Sequence, residues 1–334
     1  MSNIQKFDFH RERIVLLGKT GSGKSSLANT ILGEEVFKIN HLPNTESTKT
    51  FVQTKRVHGR SLTLVDTCSV FDTSMSDTTL REDLVRCITE CAPGPHAFLI
   101  VLKVEKFTEQ EEAVFKEICR HFSEDALKFT AVVFTHGDQL LEDMTIQKFV
   151  STNTELRALV EKCGGRCHVV DNKYWKEGRE CYRSNQFQVE ELLKTTDRIT
   201  EANHGRWYTN EMLKKAERQM KEEEHKLRQS STNMSPEEIT ITAKNNAYGK
   251  LLNKFVGAAT GLILGALLGA ASEVEISNLK TKPKEEYMSA AWTGGQQGAC
   301  VGWEASEEAK SPTEAFHKAK DAVCKNSQLS FLKF

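Results

Sequence analysis

The sequence predicts an α/β fold: a mostly parallel central sheet flanked by helices, followed by an α-helical C-terminal extension. Three observations carry that prediction. Short apolar runs alternate with helix-length segments from about residue 12 to about residue 205, a pattern that implies crossover connections between parallel strands. Gly18-Lys19-Thr20-Gly21-Ser22-Gly23-Lys24-Ser25 spells G-x-x-x-x-G-K-S between an apolar run, Ile14 to Leu17, and a helical pattern, Ser26 to Leu32. From Arg206 to Arg228 the composition becomes polar and continuously helical.

Taken in order, residues 1–9 read as a flexible N-terminus and 10–205 as one nucleotide-binding domain. Strands are expected at 13–17, 51–57, 61–66, 97–102, 130–134 and 167–170, with helices at 79–91, 108–122 and 146–163. The second and third strands, joined by His58-Gly59-Arg60, read as an antiparallel hairpin at one edge. Residues 206–230 form a charged helix in which Glu211/Lys215, Glu217/Lys221, Glu222/Lys226 and Glu224/Arg228 set acid before base, each pair worth ~0.3–0.5 kcal/mol. Leu213, Met220 and Leu227 recur every seven residues, but Thr209, Ala216 and Glu223 make a poor companion stripe. A coiled coil therefore stands beside a solvated or domain-packed single helix.

Ser235-Pro236-Glu237-Glu238 starts a second helix, 236–272, with Ser at the N-cap, Pro at the first position and Glu at the third. Within it, 255–271 is uncharged, and Gly257, Gly261, Gly265 and Gly269 recur every four residues. Such a strip permits backbone contact between helices. At about 25 Å it falls just short of a bilayer core of about 30 Å. Two readings stand: membrane insertion or oligomerisation through 255–271, and packing of the tail helices on each other or on the preceding domain. In the variable tail, 273–334, Ala290, Gly294, Gly298 and Gly302 form a second ladder that is compatible with a helical hairpin, although Gln296 and Gln297 make that arm too polar to span a membrane alone. A last helix begins at Ser311-Pro312-Thr313-Glu314, with Phe316, Ala319 and Val323 on one face.

Forty-five basic and forty-six acidic residues leave a net charge of −1 over 334 residues. Nothing in that balance demands a polyanion, and no nucleic-acid partner is expected. The nine cysteines are odd in number and scattered, and the first residues lack an apolar signal region. Reduced thiols in the cytoplasm are the economical reading. Cys163-Gly-Gly-Arg-Cys167-His168 has the wrong spacing for a zinc knuckle.

The G-x-x-x-x-G-K-S motif lets successive backbone N–H groups point at an anion while the following helix adds its positive end. Lys24 would reach β and γ phosphates, and Ser25 would place its hydroxyl on Mg²⁺. Downstream, Asp138 in Thr135-His136-Gly137-Asp138 could accept from both the ring N–H and the exocyclic amine of guanine. Its other reading is a helix N-cap or turn residue. Asn172, after the last strand, would supply a second base contact.

These motifs, with Ser47-Thr48-Lys49-Thr50, Leu64-Val65-Asp66-Thr67, Phe71-Asp72-Thr73 and the box Gly94-Pro95-His96-Ala97-Phe98-Leu99-Ile100-Val101-Leu102 running to Phe107-Thr108, resemble the GTPases of immunity-associated proteins (GIMAP family), septin relatives among the phosphate-loop proteins. The resemblance covers about residues 10 to 210. It implies a G domain that binds GTP or GDP with Mg²⁺. Gly18, Lys19, Thr20, Gly21, Ser22, Gly23, Lys24, Ser25 and Ser26 would hold the phosphates. Ser25 and Thr48 would hold the metal, with Asp66 as the carboxylate behind it, and Thr45 and Thr50 lie near enough to Thr48 to compete for its role. His136, Asp138 and Asn172 would face the base. It also implies a role in immune-type cells, and together with the tail it suggests a GTP-dependent homo-oligomer that pairs through the G domain and is placed on a membrane by residues 255–271.

Three departures bear on hydrolysis. Relatives read Asp-Thr-Pro-Gly where this chain has Asp66-Thr67-Cys68-Ser69, and Ser69 lacks the missing glycine's access to positive φ, at ~1–2 kcal/mol. Relatives carry Gly-Arg where this chain has Glu105-Lys106, and lysine lacks the bidentate fork that suits a phosphoryl transition state. No glutamine follows to orient water. Thr48, Ser69 and Lys106 are thus the positions on which hydrolysis turns, and slow intrinsic turnover is expected. A dimer-activated GTPase using Lys106 and a pseudo-GTPase adaptor acting through the tail are the alternatives.

Overall fold

Six strands form one sheet in the order β2-β3-β1-β4-β5-β6 in the computed structural model, which describes residues 11–39, 50–67, 77–108, 111–112, 115–116, 124–175, 182–230, 234–272 and 284–326. The strands are β1 Arg11–Leu17, β2 Phe51–Val57, β3 Arg60–Asp66, β4 Ala97–Lys103, β5 Thr130–Thr135 and β6 Cys167–Val169. β1 pairs in parallel with β3 and β4, and β4, β5 and β6 continue in parallel. The expected hairpin is present: β2 runs antiparallel to β3, with Phe51 opposite Asp66. His58 and Gly59 both take positive φ at its turn, as a two-residue connection matched to the strand twist requires.

The central strands are apolar on both faces, as a doubly covered parallel sheet demands. Ile14 to Leu17, Ala97 to Leu102 and Ala131 to Phe134 are all buried. Helices α1 Lys24–Leu32, α2 Asp77–Cys91, α3 Ile146–Ser151 and α4 Thr154–Lys162 lie between strands in the chain, and α5 Asn185–Ala202 follows β6. Residues 146–163, expected as one helix, are two. The Asn153 side chain accepts from the Leu156 amide at 2.8 Å, and Ser151 and Thr152 turn their hydroxyls onto the carbonyls of Lys148 and Phe149. Short polar side chains have captured the backbone groups that a continuous helix would use.

The chain divides into two compact units, Met1–Glu217 and Arg218–Phe334. The boundary lies within helix α6, Glu211–Ser230. Residues 206–210, expected as helix, instead form an irregular strap at the foot of β4. Tyr208 is buried, donates its amide to Pro95 O at 2.9 Å and meets Phe98 edge to face at 5.4 Å. A Cβ on Gly94 would fall 1.9 Å from Tyr208 O. The start of the Gly94-Pro95-His96 box therefore serves packing. His96 Nδ1 accepts from the Arg13 amide at 3.1 Å, and burial, helped by the Arg13 charge, pushes the ring down to about 4.

In the second unit, helices α7 Pro236–Ser272 and α8 Lys284–Ala305 run antiparallel, since Asn253 bonds Ala309 O, Lys254 pairs with Glu307, and Gly257 lies against Gly302. A Cβ on Gly257 would sit 2.3 Å from Gly302 O and 1.7 Å from Ser306 Oγ. At this position the first ladder packs helix against helix within the chain. The expected capping box forms: Ser235 Oγ accepts from the Glu238 amide at 3.2 Å, and Glu238 accepts from the Ser235 amide at 2.8 Å. Helix α9, Pro312–Asn326, buries Ala315, Ala319 and Val323 and leaves Phe316 exposed. That corrects the expected face by one position, because the smaller alanine fits the close helix approach. Glu223 of α6 is buried and bonds Lys250 of α7 at 2.7 Å. This intrachain pair sits on the stripe that made a coiled coil doubtful. Among the described residues no helix is long and apolar enough to cross a membrane.

Candidate functional site

All the described site residues lie at the carboxyl ends of the strands, where an open parallel sheet leaves its loops free to converge. Gly18 ends β1 at φ +154°, and a Cβ there would fall 2.5 Å from Val101 O. Gly23 takes φ 90° as the N-cap of α1. Thr135 Oγ1 donates to Ser22 O at 2.8 Å, tying the loop to the end of β5. Inside this arch the Lys24 ammonium donates to Gly18 O at 2.9 Å and to Lys19 O at 3.0 Å. Its charge is thereby held against the loop backbone beside the start of α1, an end of a helix that favours an anion.

Ser25 and Asp66, 41 residues apart, meet at 2.5 Å, the hydroxyl donating to Oδ2. The other Asp66 oxygen, Oδ1, is buried and has no hydrogen-bond partner among the described residues. Burial pushes the Asp66 carboxyl up, while the Lys24 charge and the Ser25 hydroxyl oppose the shift. A buried oxygen left without a donor is costly unless something supplies positive charge. Thr48 and Ser69, like Thr45, lie outside the described residues. Thr50 is buried at the start of β2, its amide donating to Asp83 Oδ1 of α2 at 3.3 Å. Burial, against the opposing Thr50 amide and Arg86 charge, pushes Asp83 up to about 6.

On the far side, His136 takes left-handed φ of 61° directly after β5 and opens the single 3-10 turn Gly137–Gln139. The Asp138 carboxylate is partly exposed on that turn and accepts from Gln139 Nε2 at 2.9 Å. Asn172 is half-buried on the adjacent loop, its Oδ1 accepting from Thr30 of α1 at 2.8 Å. Gly137 lies against the ring of Trp175, which a Cβ would meet at 2.6 Å. Lys106 is exposed after β4. Thr20 and Gly21 are exposed at the loop tip, and Ser26 is half-buried in the first turn of α1.

A family model described as the AIG1 family matches residues 12–228. The chain belongs to the AIG1 family. Among its relatives, the immune-associated nucleotide-binding protein 8 of Arabidopsis thaliana is 32% identical over 248 residues, covering 70% of this chain and 66% of the relative. Protein 7 of the same group is 33% identical over 71% of this chain and 76% of its own length. GTPase IMAP family member 8 of Homo sapiens is 30% identical over 59% of this chain, but the match spans 29% of that longer protein. The chain thus spans roughly two thirds of the plant relatives' length. Toc33 from Arabidopsis thaliana in complex with GDP and Mg²⁺ shares 18% identity over 57% of this chain and 85% of its own, with a TM-score of 0.46.

The AIG1 chain also places residues that sequence reasoning passed over. Glu111 is buried and forms an ion pair with Lys19 of the phosphate loop, which Glu105 supports at 3.4 Å. Burial pushes the Glu111 carboxyl up, but Lys19 and Thr108 outweigh it and hold the group below its ordinary range. The signal was legible in part: Thr108 followed three residues later by Glu111 is a capping pattern. Asp171, which directly precedes Asn172, lies at the centre of the base-side loops and is 2% exposed.

Proposed function

We propose that this AIG1-family chain is a guanine-nucleotide-binding protein that takes GTP or GDP with Mg²⁺, hydrolyses GTP slowly on its own, and uses the bound nucleotide to control G-domain pairing. The observation that carries the reading is the convergence of Lys24, Ser25 and Asp66 under a loop whose glycine Gly18 admits no side chain. The donor set fits the ion: Ser25 Oγ and Asp66 Oδ1, which has no hydrogen-bond partner among the described residues, are hard oxygens of the kind Mg²⁺ prefers. When bound, Mg²⁺ would neutralise charge on the β and γ phosphates. Gly18 to Ser26 would hold those phosphates through backbone N–H groups, and Lys24 would exchange its carbonyl partners for phosphate oxygens. Asp138, with His136 and Asn172 beside it, would read the base.

Slow hydrolysis is favoured because Lys106, exposed after β4, offers a point charge rather than a guanidinium fork. The names of the relatives, which carry nucleotide binding and GTPase activity, support the same reading. The test is GTP binding and single-turnover hydrolysis by the full chain with Mg²⁺ across a range of protein concentrations. Tight binding with a slow rate that climbs as the chain pairs is the expected result. Fast turnover by a demonstrated monomer would overturn the slow intrinsic rate, and absence of GTP binding would overturn the whole reading.

A further inference from the structure

We infer that Asp171 is a positioning residue for base recognition, its buried carboxylate bracing the Asp138 turn against the 172–174 turn so that Asp138 keeps the orientation that selects guanine. The inference rests on the guanine reading of the site and adds to it the residue on which selectivity depends. Asp171 Oδ1 accepts from the amides of Lys173 at 2.9 Å and Tyr174 at 2.5 Å. Its Oδ2 accepts from the Asp138 amide at 3.2 Å, across 33 residues of sequence. The first two bonds are what any turn-forming aspartate makes with its own neighbours. The third is not local, and it joins the loop after β6 to the loop after β5.

The brace is itself held from a third element. Asn185, the first residue of α5, accepts the Asp171 amide at 3.0 Å and donates to Asp171 O at 2.5 Å. Two further contacts stitch the same loops: the Gly137 amide donates to Val170 O at 3.0 Å, and Gly137 lies against Trp175. A carboxylate is the side chain this position needs. Three N–H donors converge on it, and an ionised aspartate offers acceptors on both oxygens, whereas asparagine would turn a donor amine toward one of them. Burial works to push the Asp171 carboxyl up, but these amides and the Asp138 side chain outweigh it and hold the group below its ordinary value. The Asp138 carboxyl is pushed up, first by its contact with Asp171.

The experiment measures dissociation constants of GTP, ITP and ATP with Mg²⁺ for the full chain, for Asp171→Asn and for Asn185→Ala. ITP lacks the exocyclic amine and ATP lacks both guanine donors, so ratios among the three report on Asp138, whereas the phosphates are common to all. In Asp171→Asn the GTP preference over ATP should fall at least tenfold, the GTP and ITP affinities should converge, and ATP affinity should move less than threefold. Asn185→Ala, which loosens the brace and leaves the carboxylate in place, should shift the same ratios in the same direction by about threefold. It also carries the test if Asp171→Asn fails to fold. Ratios within twofold of wild type, or a parallel fall for all three nucleotides, would overturn the inference while leaving the guanine reading intact. A wild-type chain that binds ATP as well as GTP would overturn the guanine reading and the inference with it.

Discussion

Glycine serves two unlike purposes in the two units of this chain. In the phosphate loop, Gly18 combines a positive φ with a Cβ position blocked by Val101 O, so both the backbone turn and the space demand it. In the tail, Gly257 is an ordinary helical residue whose Cβ position is occupied by Gly302 O of the facing helix and by Ser306 just past its end. The first glycine shapes a surface that can face a ligand; the second removes surface so that two helices close on each other. A glycine motif does not by itself announce its physical role. The four-residue ladder, read from sequence as a membrane or oligomer signal or as packing, acts at Gly257 as packing between α7 and α8.

The largest break of this comparison should come from Gly18→Ala. Strained φ and a backbone oxygen at 2.5 Å act together, and nucleotide affinity should fall a hundredfold or more, about 3 kcal/mol, as measured by calorimetry. A variant within fivefold of wild type would show that the loop yields. Next in size, Gly257→Ala should cost about 1–3 kcal/mol by overpacking, seen as faster limited proteolysis within 236–326. Its internal control is Gly249→Ala in the same helix, where nothing lies within 4 Å of a new Cβ. There alanine should stabilise by roughly 0.5–1 kcal/mol. Equal effects at the two positions would erase the distinction between a packed and an open helical glycine.

A smaller effect separates the units by pH. The Asp83 carboxyl is raised to about 6 in the folded state, so between its unfolded value near 4 and 6 the folded chain holds the extra proton. Stability on this account falls as pH rises through that window and stays lower above it. Asp83→Asn keeps an acceptor for the Thr50 amide and removes the buried charge. It should stabilise the first unit by about 1–2 kcal/mol at pH 7.5, with the gain vanishing near pH 4. Denaturant unfolding at several pH values decides it, and a gain that persists at pH 4 would assign the effect to packing instead. His96 and His168, both pushed down to about 4 by burial, act with opposite sign: they lower stability as pH falls from about 6.5 toward 4. The Asp83→Asn variant should therefore be more acid-sensitive than wild type.

The phosphate loop, the hairpin at 51–66 and the capping box at Ser235 were legible because each is a short-range pattern whose chemistry lies within a few residues. The break at Asn153 was not, since the apolar spacing of 146–163 suits one helix and the side-chain capture that interrupts it competes locally with the same backbone groups. Nor was the strap at 206–210. Its position at the head of the charged run 211–228 suits a helix, but Trp207 and Tyr208 gain more from packing at Gly94 and Phe98. The Lys19 and Glu111 ion pair spans 92 positions in number, and no spacing rule announces it.

By itself, then, the sequence determined the local conformations that glycine, proline and capping residues dictate, the parallel α/β class that apolar alternation dictates, and the family. Tertiary structure decided which distant groups meet. Ser25 reaches Asp66 because β1 and β3 pair in a register that sets Leu16 beside Asp66. Asp138 leans on Asp171 because β5 and β6 end side by side. Gly257 lies against Gly302 because α7 and α8 run antiparallel. Register and crossing point depend on the summed packing of buried side chains across the fold, a property no single window of sequence contains.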